Sequence, residues 1–330
     1  MFCFFRYGDG KEKERYVRAM KAQSKRVAWE IEERCERLFQ EAGPFWHLYT
    51  REDQPVFLPD EDSFRLAMNS TAICLKLHPE IRTLTFEWMS NHHHGLYAAK
   101  REAQVTDFFE DLTDMLRRSL RQNGRPADLS GLNPRPREIT SLSDLRNVLV
   151  YANRNGYLVS PDHTPFSYPW GANKYYFNPE AKQRFHDSSR PVGARERRAL
   201  AHSRRADALF DLRILDGCIS PMCFCDIPLG EAFFHNAHQY FAHLSRNVES
   251  YKAIACEIGE SIFYTDEELF SLTGSLSAKQ FDQKNPTLLP NDAKIGLAKT
   301  LRFEYNASNK QIARLLRLSR QVVDALFPNR

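Results

Sequence analysis

The stretch TLTFEWMSNHHHGLYA, residues Thr83 to Ala98, joins two runs of β-type residues through a polar break at Ser90-Asn91. Such a pattern predicts two strands connected by a tight turn. Because side chains alternate along a strand, His92 and His94 share one face and His93 lies on the other. Two imidazoles on one face can bind a metal ion, although this spacing is also typical of exposed histidines at the end of a strand.

The segments around this stretch predict a domain of mixed helices and strands. Residues 45–50 are aromatic and predict a first strand, and a helix with regularly spaced apolar residues follows Pro59. After the two strands of residues 81–98, Val105 to Gln122 predict a second helix with one apolar stripe. This order favours an α+β fold, a ferredoxin-like antiparallel sheet with helices on one face.

A long helix precedes this domain. Residues 11–41 contain no Pro or Gly and carry apolar residues at helical intervals. They predict an N-terminal amphipathic helix within residues 1–42, ended by Gly43-Pro44. Its charged face is typical of a packing or partner surface and not of an active site.

Three motifs in the domain resemble those of a known family. Asn91-His92-His93-His94 follows a strand, residues 150–157 read VYANRNGY, and residues 167–171 read SYPWG. In order and spacing they resemble the REP-associated tyrosine transposase-like proteins, single-tyrosine transposases of the HUH superfamily. The family motif is usually Asn-His-hydrophobic-His, so His93 departs from it. The resemblance implies a HUH transposase-like core at residues 43–182.

The resemblance also implies a chemistry. His92 and His94 would bind Mg²⁺ or Mn²⁺ beside a phosphodiester of single-stranded DNA. A tyrosine on the second helix would attack the phosphorus, leaving a 5′-phospho-enzyme link and a free 3′-OH. Ser119 occupies the position that we align with this tyrosine, and no tyrosine occurs between Tyr97 and Tyr151. Ser119 is therefore the candidate nucleophile, and a plain packing residue is the alternative.

A third metal ligand is implied by the same comparison. Relatives place an Asn or Gln about one turn after the tyrosine, where this chain has Asn123. A helix C-cap before Gly124 is the alternative role of Asn123. The expected function is metal-dependent nicking and strand transfer at hairpin-containing single-stranded DNA. Because the aligned tyrosine is missing, the alternative is an inactive, transposase-derived protein that recognises hairpin or duplex DNA.

Basic residues cluster along the chain, although the net charge is only +4. Residues 182–205 and 294–330 each hold eight Lys or Arg and two acidic residues. Such clusters suit a polyanion, although a charge run is often a solvated helix face. The candidate contacts to single-stranded or hairpin DNA are Arg117, Arg118, Arg121, Arg154, Arg197 and Arg198.

The last part of the chain predicts a helix-turn-helix module at residues 291–330. It follows a basic linker and helix at 183–210 and a helical domain at 211–290. Ser308 to Gln311 form a capping box, and a turn at Leu318-Ser319 precedes a last helix. That helix would direct Val322, Val323 and Leu326 inward and offer Arg320, Gln321 and Asp324 outward to a major groove. Arg317, Arg320 and Gln321 are the candidate contacts to duplex DNA. Helical bundles that do not bind DNA show the same pattern.

The cysteines favour reduced thiols in a cytoplasmic protein, because the seven of them are scattered through a long chain. A group of Cys218, Cys223, Cys225, His235 and His238 leaves a zinc site open, although the spacing is not a standard one. No stretch approaches the roughly 18 apolar residues of a membrane span, so we expect no membrane partner. Both a monomer and a homodimer are compatible with the sequence.

Overall fold

The computed structural model describes residues 10–158, 163–164, 166–201, 210–246, 264 and 266–328. Side chains are described from residue 26 onward, except at 157–158, 198–201, 245–246 and 267. The central feature is a four-stranded antiparallel sheet with the strand order β2-β3-β1-β4. Its strands are β1 (Phe45–Tyr49), β2 (Arg82–Trp88), β3 (His93–Ala98) and β4 (Arg135–Ile139).

Four helices accompany the sheet: α1 (Gly10–Ala42), α2 (Glu61–Leu77), α3 (Glu102–Gln122) and α4 (Leu142–Leu158). Because α2 connects β1 to β2 and α3 connects β3 to β4, the element order is β-α-β-β-α-β. This order, with β3 and β1 in the centre, is the arrangement of a ferredoxin-like sheet. The predicted α+β class with an antiparallel sheet is confirmed.

The start of α2 shows how local sequence defines an element. Asp60 accepts a hydrogen bond from the Ser63 N–H at 2.9 Å, and the Ser63 hydroxyl accepts one from the Asp60 N–H at 3.2 Å. This capping box satisfies two backbone donors that a helix start leaves open. The helix therefore begins directly after Pro59, where the sequence predicts it.

Helices cover both faces of the sheet. The connecting helices α2 and α3 lie on the face of His93 and Tyr97, where the rings of Tyr97 and Phe108 are 5.3 Å apart. The helix α4 lies on the opposite face, where its Asn153 hydrogen-bonds to Thr85 of β2. The prediction of helices on one face therefore holds only for the connecting helices. The apolar side of α4 needs burial as well, and the second face of the sheet provides it.

Both edges of the sheet have features that the sequence does not predict. The edge strand β4 reads Arg-Pro-Arg-Glu-Ile, and Pro136 is tolerated there because an edge strand can lack one N–H donor. At the opposite edge, the Trp88 N–H donates to the Trp170 carbonyl at 2.9 Å. The Ala172 N–H donates to the Phe86 carbonyl at 3.1 Å. The segment of residues 170–172 thus covers the outer edge of β2.

Residues 179–201 and 210–246 form short elements on the same core. They are α5 (Pro179–Ser188), β5 (Arg190–Pro191), α6 (Ala194–Ala201), β6 (Arg213–Leu215), β7 (Cys218–Ile219), α7 (Ile227–Ala232) and α8 (Ala237–Arg246). The three strands form a small second sheet. The core of the main sheet extends to Phe233, Tyr240 and Leu244, so it continues well beyond residue 182.

The C-terminal part buries a separate apolar cluster, which extends from Tyr264 to Phe327. Its helices are α9 (Asp266–Phe281), α10 (Asn291–Phe303), α11 (Asn309–Leu316) and α12 (Arg320–Leu326). The predicted capping box of Ser308 and Gln311 opens α11. Throughout the described ranges, no helix combines the length and the apolar character that crossing a membrane requires.

Candidate functional site

The three consecutive histidines divide between the two faces of the sheet, as strand alternation predicts. His93 lies against α3, with its ring 5.2 Å from the ring of Phe109 and its Nε2 3.0 Å from the Tyr97 hydroxyl. The rings of His92 and His94 lie 5.2 Å apart. Burial lowers the pKa of His93 well below its ordinary value. His93 is thus a neutral core residue, and the candidate site belongs to the other two.

His94 lies at the centre of a cluster of rings on the face that α4 covers. Its Nδ1 lies 3.3 Å from Nε2 of His47, which projects from β1. The ring of Tyr49, the direct neighbour of His94 across the strand pair, is 6.5 Å away. From α4, the ring of Tyr151 meets His94 edge-on at 5.5 Å. Side chains of β1 and α4 therefore converge on this imidazole of β3.

His92 is oriented by its neighbour in the chain. Its Nδ1 lies 2.8 Å from Oδ1 of Asn91, which can only accept. A neutral His92 therefore carries its proton on Nδ1 and its lone pair on Nε2, the form that binds a metal. The side-chain amide of Asn91 donates to the Glu52 carbonyl, which fixes the orientation of Asn91. Asn91 thus has a structural role in orienting the imidazole of His92.

Glu87 fastens α4 to the sheet beside this cluster. It is the register partner of His94, and its Oε2 accepts a hydrogen bond from the Gly156 N–H at 2.6 Å. A Cβ at Gly156 would lie 2.1 Å from the Tyr168 ring, so only glycine fits there. Burial raises the pKa of Glu87 well above its ordinary value. Burial thus favours the protonated form of this carboxyl group.

The cluster is enclosed. His94 and His47 have no exposed surface, and His92, Tyr151 and Tyr49 are 7%, 4% and 8% exposed. The alternative of exposed histidines at the end of a strand is wrong, because α4 covers this face. A phosphodiester can reach His94 only if α4 or a covering segment moves.

The structure does not bring Ser119 or Asn123 to the histidines. Both lie at the end of α3, which packs on the face of His93 and not on the face of His94. The Asn123 side chain is exposed and donates to the Ser119 carbonyl at 2.8 Å. Asn123 is therefore the C-cap of α3, and Ser119 is half-buried on the same helix. The aligned positions are wrong because residues distant along the chain, on α4, are the ones that meet His94.

The predicted DNA contacts fall into different surroundings. Arg117, Arg118 and Arg121 are exposed on α3, where Arg117 pairs with Asp114. They lie in the helical layer that is remote from the His94 face, so the structure separates them from the candidate site.

Arg154 and the linker arginines differ from that group. Arg154 is 1% exposed and forms an ion pair with Glu268 of α9. The prediction that it contacts DNA is wrong, because its guanidinium holds the C-terminal part against α4. Arg197 is half-buried on α6, and the side chain of Arg198 lies outside the described residues.

The C-terminal candidates lie at the surface. Arg317 ends α11 in the left-handed region (φ 49°), and Arg320 and Gln321 are exposed at the start of α12. Arg320 pairs with Asp324 on the same helix. Val323 is buried as predicted, whereas Val322 is 44% exposed and the prediction that it faces inward is wrong. The module therefore presents one apolar and two polar residues at the start of its last helix.

The cysteines and histidines of the possible zinc site are dispersed. The Cys223 thiol accepts from the Arg213 N–H at 3.3 Å, whereas His235 Nε2 lies 2.6 Å from Glu32 of α1. Within the described part of the chain, no group of three or more His, Cys, Asp or Glu side chains is arranged to hold a metal ion. A metal site formed by His92, His94 and an asparagine side chain uses different ligands from this zinc group. That site stays a prediction.

Sequence reasoning missed three members of the cluster: His47, Tyr49 and Tyr151. Signals for them were present. In an antiparallel β-α-β-β-α-β sheet β1 lies beside β3, so alternation places His47 on the face of His94. A helix that follows β4 must cover the free face of that sheet, which brings Tyr151 there.

No protein-family model matches the chain, and neither a curated protein nor a solved structure is significantly similar to it.

Proposed function

We propose that this chain is a HUH-type DNA strand transferase that cuts single-stranded DNA beside a hairpin, with Tyr151 as its nucleophile. The observation that supports it is the edge-on contact of Tyr151 with His94 at 5.5 Å. The order of the motifs, which resembles the single-tyrosine transposases, supports the same reaction. Tyr151 replaces Ser119 in this proposal because it is the hydroxyl-bearing residue of α4 that touches a motif histidine.

The metal of this proposal is Mg²⁺ or Mn²⁺, held through Nε2 of His92 and His94. Asn155 is the further ligand in place of Asn123, since it lies one helical turn beyond Tyr151 and is partly exposed. The fit rests on the oriented His92, whose Nδ1 is held by Asn91 at 2.8 Å. A cation bound by these residues would supply positive charge to offset the charge of the scissile phosphate.

The reaction proceeds by in-line displacement at phosphorus. The Tyr151 oxygen forms a bond to phosphorus and loses its proton, while the bond from phosphorus to the 3′ oxygen breaks and that oxygen gains a proton. The products are a 5′-phosphotyrosine link and a free 3′-OH. Attack by another 3′-OH reverses the step and joins strands, so no nucleotide cofactor is consumed.

An exposed arginine on the same face extends the proposed substrate site. Arg135 of β4 is the register partner of Tyr49, which itself neighbours His94. Strand spacing places Arg135 roughly 10 Å from His94, a reach of one to two nucleotides. Arg135 would hold a flanking phosphate. The C-terminal module, through Arg317, Arg320 and Gln321, would hold duplex DNA.

The test uses a pool of labelled single-stranded oligonucleotides that carry a hairpin with randomised flanks. After incubation with Mn²⁺, a denaturing gel separates protein that is covalently attached to DNA. We expect an adduct with the wild type and with Ser119→Ala, and none with Tyr151→Phe or His92→Ala. An adduct that persists in Tyr151→Phe would contradict the proposed nucleophile.

The burial of His94 favours a second candidate, a DNA-binding protein that has lost catalysis. In that case α4 is a permanent cover and not a movable one. The oligonucleotide pool would then be retained in a native gel, and the denaturing gel would show no adduct under any metal. Binding without an adduct from the wild type would replace the first proposal by this second one.

A further inference from the structure

His47 is a buried residue with a ring nitrogen within hydrogen-bond distance of His94. Its ring has no exposed surface and stacks on His94, with an interplanar angle of 22° and ring centroids 5.5 Å apart. The contact joins Nε2 of His47 to Nδ1 of His94 at 3.3 Å. Within the described part of the chain, Nδ1 of His47 has no hydrogen-bond partner. The imidazole of His47 is thus committed to His94.

The direction of that hydrogen bond decides which nitrogen of His94 carries a lone pair. If His94 donates from Nδ1, its Nε2 carries the lone pair and can bind a cation. If His47 donates instead, a neutral His94 carries its proton on Nε2 and cannot bind a cation through that atom. The direction of the hydrogen bond between His47 and His94 therefore determines whether Nε2 of His94 can bind a cation.

Aromatic side chains fix the position of the His47 ring beside His94. The ring of Tyr49 lies 5.2 Å from His47, and that of Tyr151 lies 6.3 Å away. These rings hold His47 in place. It can rotate little, so the acceptor atom stays opposite Nδ1 of His94.

We propose that His47 is a positioning residue that accepts the Nδ1 proton of His94 and thereby presents Nε2 of His94 as a metal ligand. The consequence for metal binding rests on the proposed function, whereas the hydrogen bond itself does not. Asn91 accepts the Nδ1 proton of His92 in the same way. His92 and His94 therefore each have an acceptor for the Nδ1 proton. Such outer partners fix the tautomer and the ring orientation of a ligand.

Two substitutions separate the acceptor from the bulk of the ring. In His47→Gln a side-chain oxygen can take the place of Nε2 and accept the same proton. In His47→Leu the cavity is still filled by an apolar side chain, but no acceptor remains. A structural role alone predicts equal effects of the two variants on stability and metal binding. A positioning role predicts that His47→Gln keeps the His94 tautomer and the metal affinity, whereas His47→Leu loses both.

The first measurement is made on the metal-free protein with ¹⁵N-labelled histidine, at mildly alkaline pH. The imidazole nitrogen shifts report which nitrogen of each neutral ring is protonated. We expect His94 to be protonated on Nδ1 in the wild type and in His47→Gln, and to populate the Nε2-protonated form in His47→Leu. A wild-type His94 protonated on Nε2 would overturn the proposal, whether or not the protein binds metal.

The second measurement is Mn²⁺ affinity by calorimetry, with urea unfolding as a check on folding. Loss of an outer partner typically weakens metal binding by about 10- to 100-fold, so we expect this loss in His47→Leu and near-normal affinity in His47→Gln. Equal affinity in all three proteins would contradict the positioning role. If the wild type binds no Mn²⁺ and yet carries the expected tautomer, the metal-dependent function fails and the hydrogen-bond assignment stands.

Discussion

The ring of Tyr151 and the imidazole of His94 are perpendicular, with their centroids 5.5 Å apart. This contact joins α4 to β3 across one face of the sheet. Tyr49 is a second tyrosine near His94, but its ring is 6.5 Å away and lies at 20° to the imidazole. Both tyrosines are therefore candidates for the nucleophile of the proposed reaction, and the shorter ring distance favours Tyr151.

Tyr49→Phe should leave the covalent DNA adduct largely intact, because Phe preserves the packing beside His94 and removes only the hydroxyl. Tryptic mapping of the wild-type adduct by mass spectrometry should place the nucleotide on the peptide that contains Tyr151. Tyr151→Phe is the matched variant, since it makes the same chemical change on α4. A nucleotide found on the Tyr49 peptide would reverse the assignment.

Glu87→Gln should make the protein more stable at pH 8 than the wild type, and the advantage should shrink towards pH 5. Glu87 is buried and its pKa is raised above the ordinary value of 4.5, so the folded protein holds a proton that the unfolded chain has lost. Stability therefore falls as pH rises above that value, by at most about 1.4 kcal/mol per pH unit. Gln can still accept from the Gly156 N–H.

Urea unfolding at the two pH values measures this difference. Glu32→Gln is the control of opposite sign, because the hydrogen bond of Arg146 lowers the pKa of Glu32 to about 2. Removing the Glu32 carboxylate should reduce the stability of the protein at pH 7. This loss of stability should fade as pH falls below 4.5. A Glu87→Gln advantage that is independent of pH would show that packing, and not the buried proton, is responsible.

The ion pair of Arg154 and Glu268 should be a determinant of stability and not of DNA affinity. Both side chains are buried, at 1% and 4% exposure. Removing one partner of a buried pair leaves a charge without compensation, so Glu268→Ala should cost about 3–5 kcal/mol. The double variant Arg154→Met with Glu268→Leu should recover most of this loss in urea unfolding. If Arg154 bound DNA, the double variant would instead bind the oligonucleotide pool more weakly than the wild type.

Much of the central fold follows from local sequence. The alternation in residues 83–98 predicts two strands and the division of His92 and His93 between faces. The strand β4 is not predictable in this way, because Arg-Pro-Arg-Glu-Ile has little β-propensity and pairs with β1 only at an edge. Local preference thus defines the central strands, and tertiary pairing recruits the last one.

The candidate site is less predictable than the fold. The contact of Tyr151 with His94 joins residues 57 positions apart, and periodicity within either element does not report it. The sequence also does not show whether a charged side chain is buried. Arg154 has the same sequence character as exposed arginines, and only the approach of Glu268 from α9 shows that it is inside. These properties depend on packing between distant elements.

Gly171→Ala should destabilise the protein, because a Cβ there would lie 2.6 Å from the Phe86 carbonyl oxygen and 2.5 Å from Cγ of Glu87. A backbone atom cannot move aside cheaply, and overpacking of this kind costs about 1–3 kcal/mol. Gly296→Ala is the matched control. It lies within α10 with no atom near the added Cβ, so Ala should stabilise the helix by up to about 1 kcal/mol. Urea unfolding of both variants checks the opposite signs.

Arg317→Gly should change stability and DNA binding in opposite directions. Arg317 has a φ of 49°, which glycine adopts without the steric cost that a side chain carries, so the variant should gain about 1 kcal/mol. If Arg317 contacts a phosphate, binding to duplex DNA should weaken and the slope of affinity against salt should fall by about one.

Asn306→Gly is the control, since Asn306 also has a φ of 49° but no charge. It should gain less stability, because Asn tolerates this conformation, and it should leave DNA binding unchanged. Equal DNA affinity of Arg317→Gly and the wild type across salt concentrations would remove Arg317 from the duplex contact.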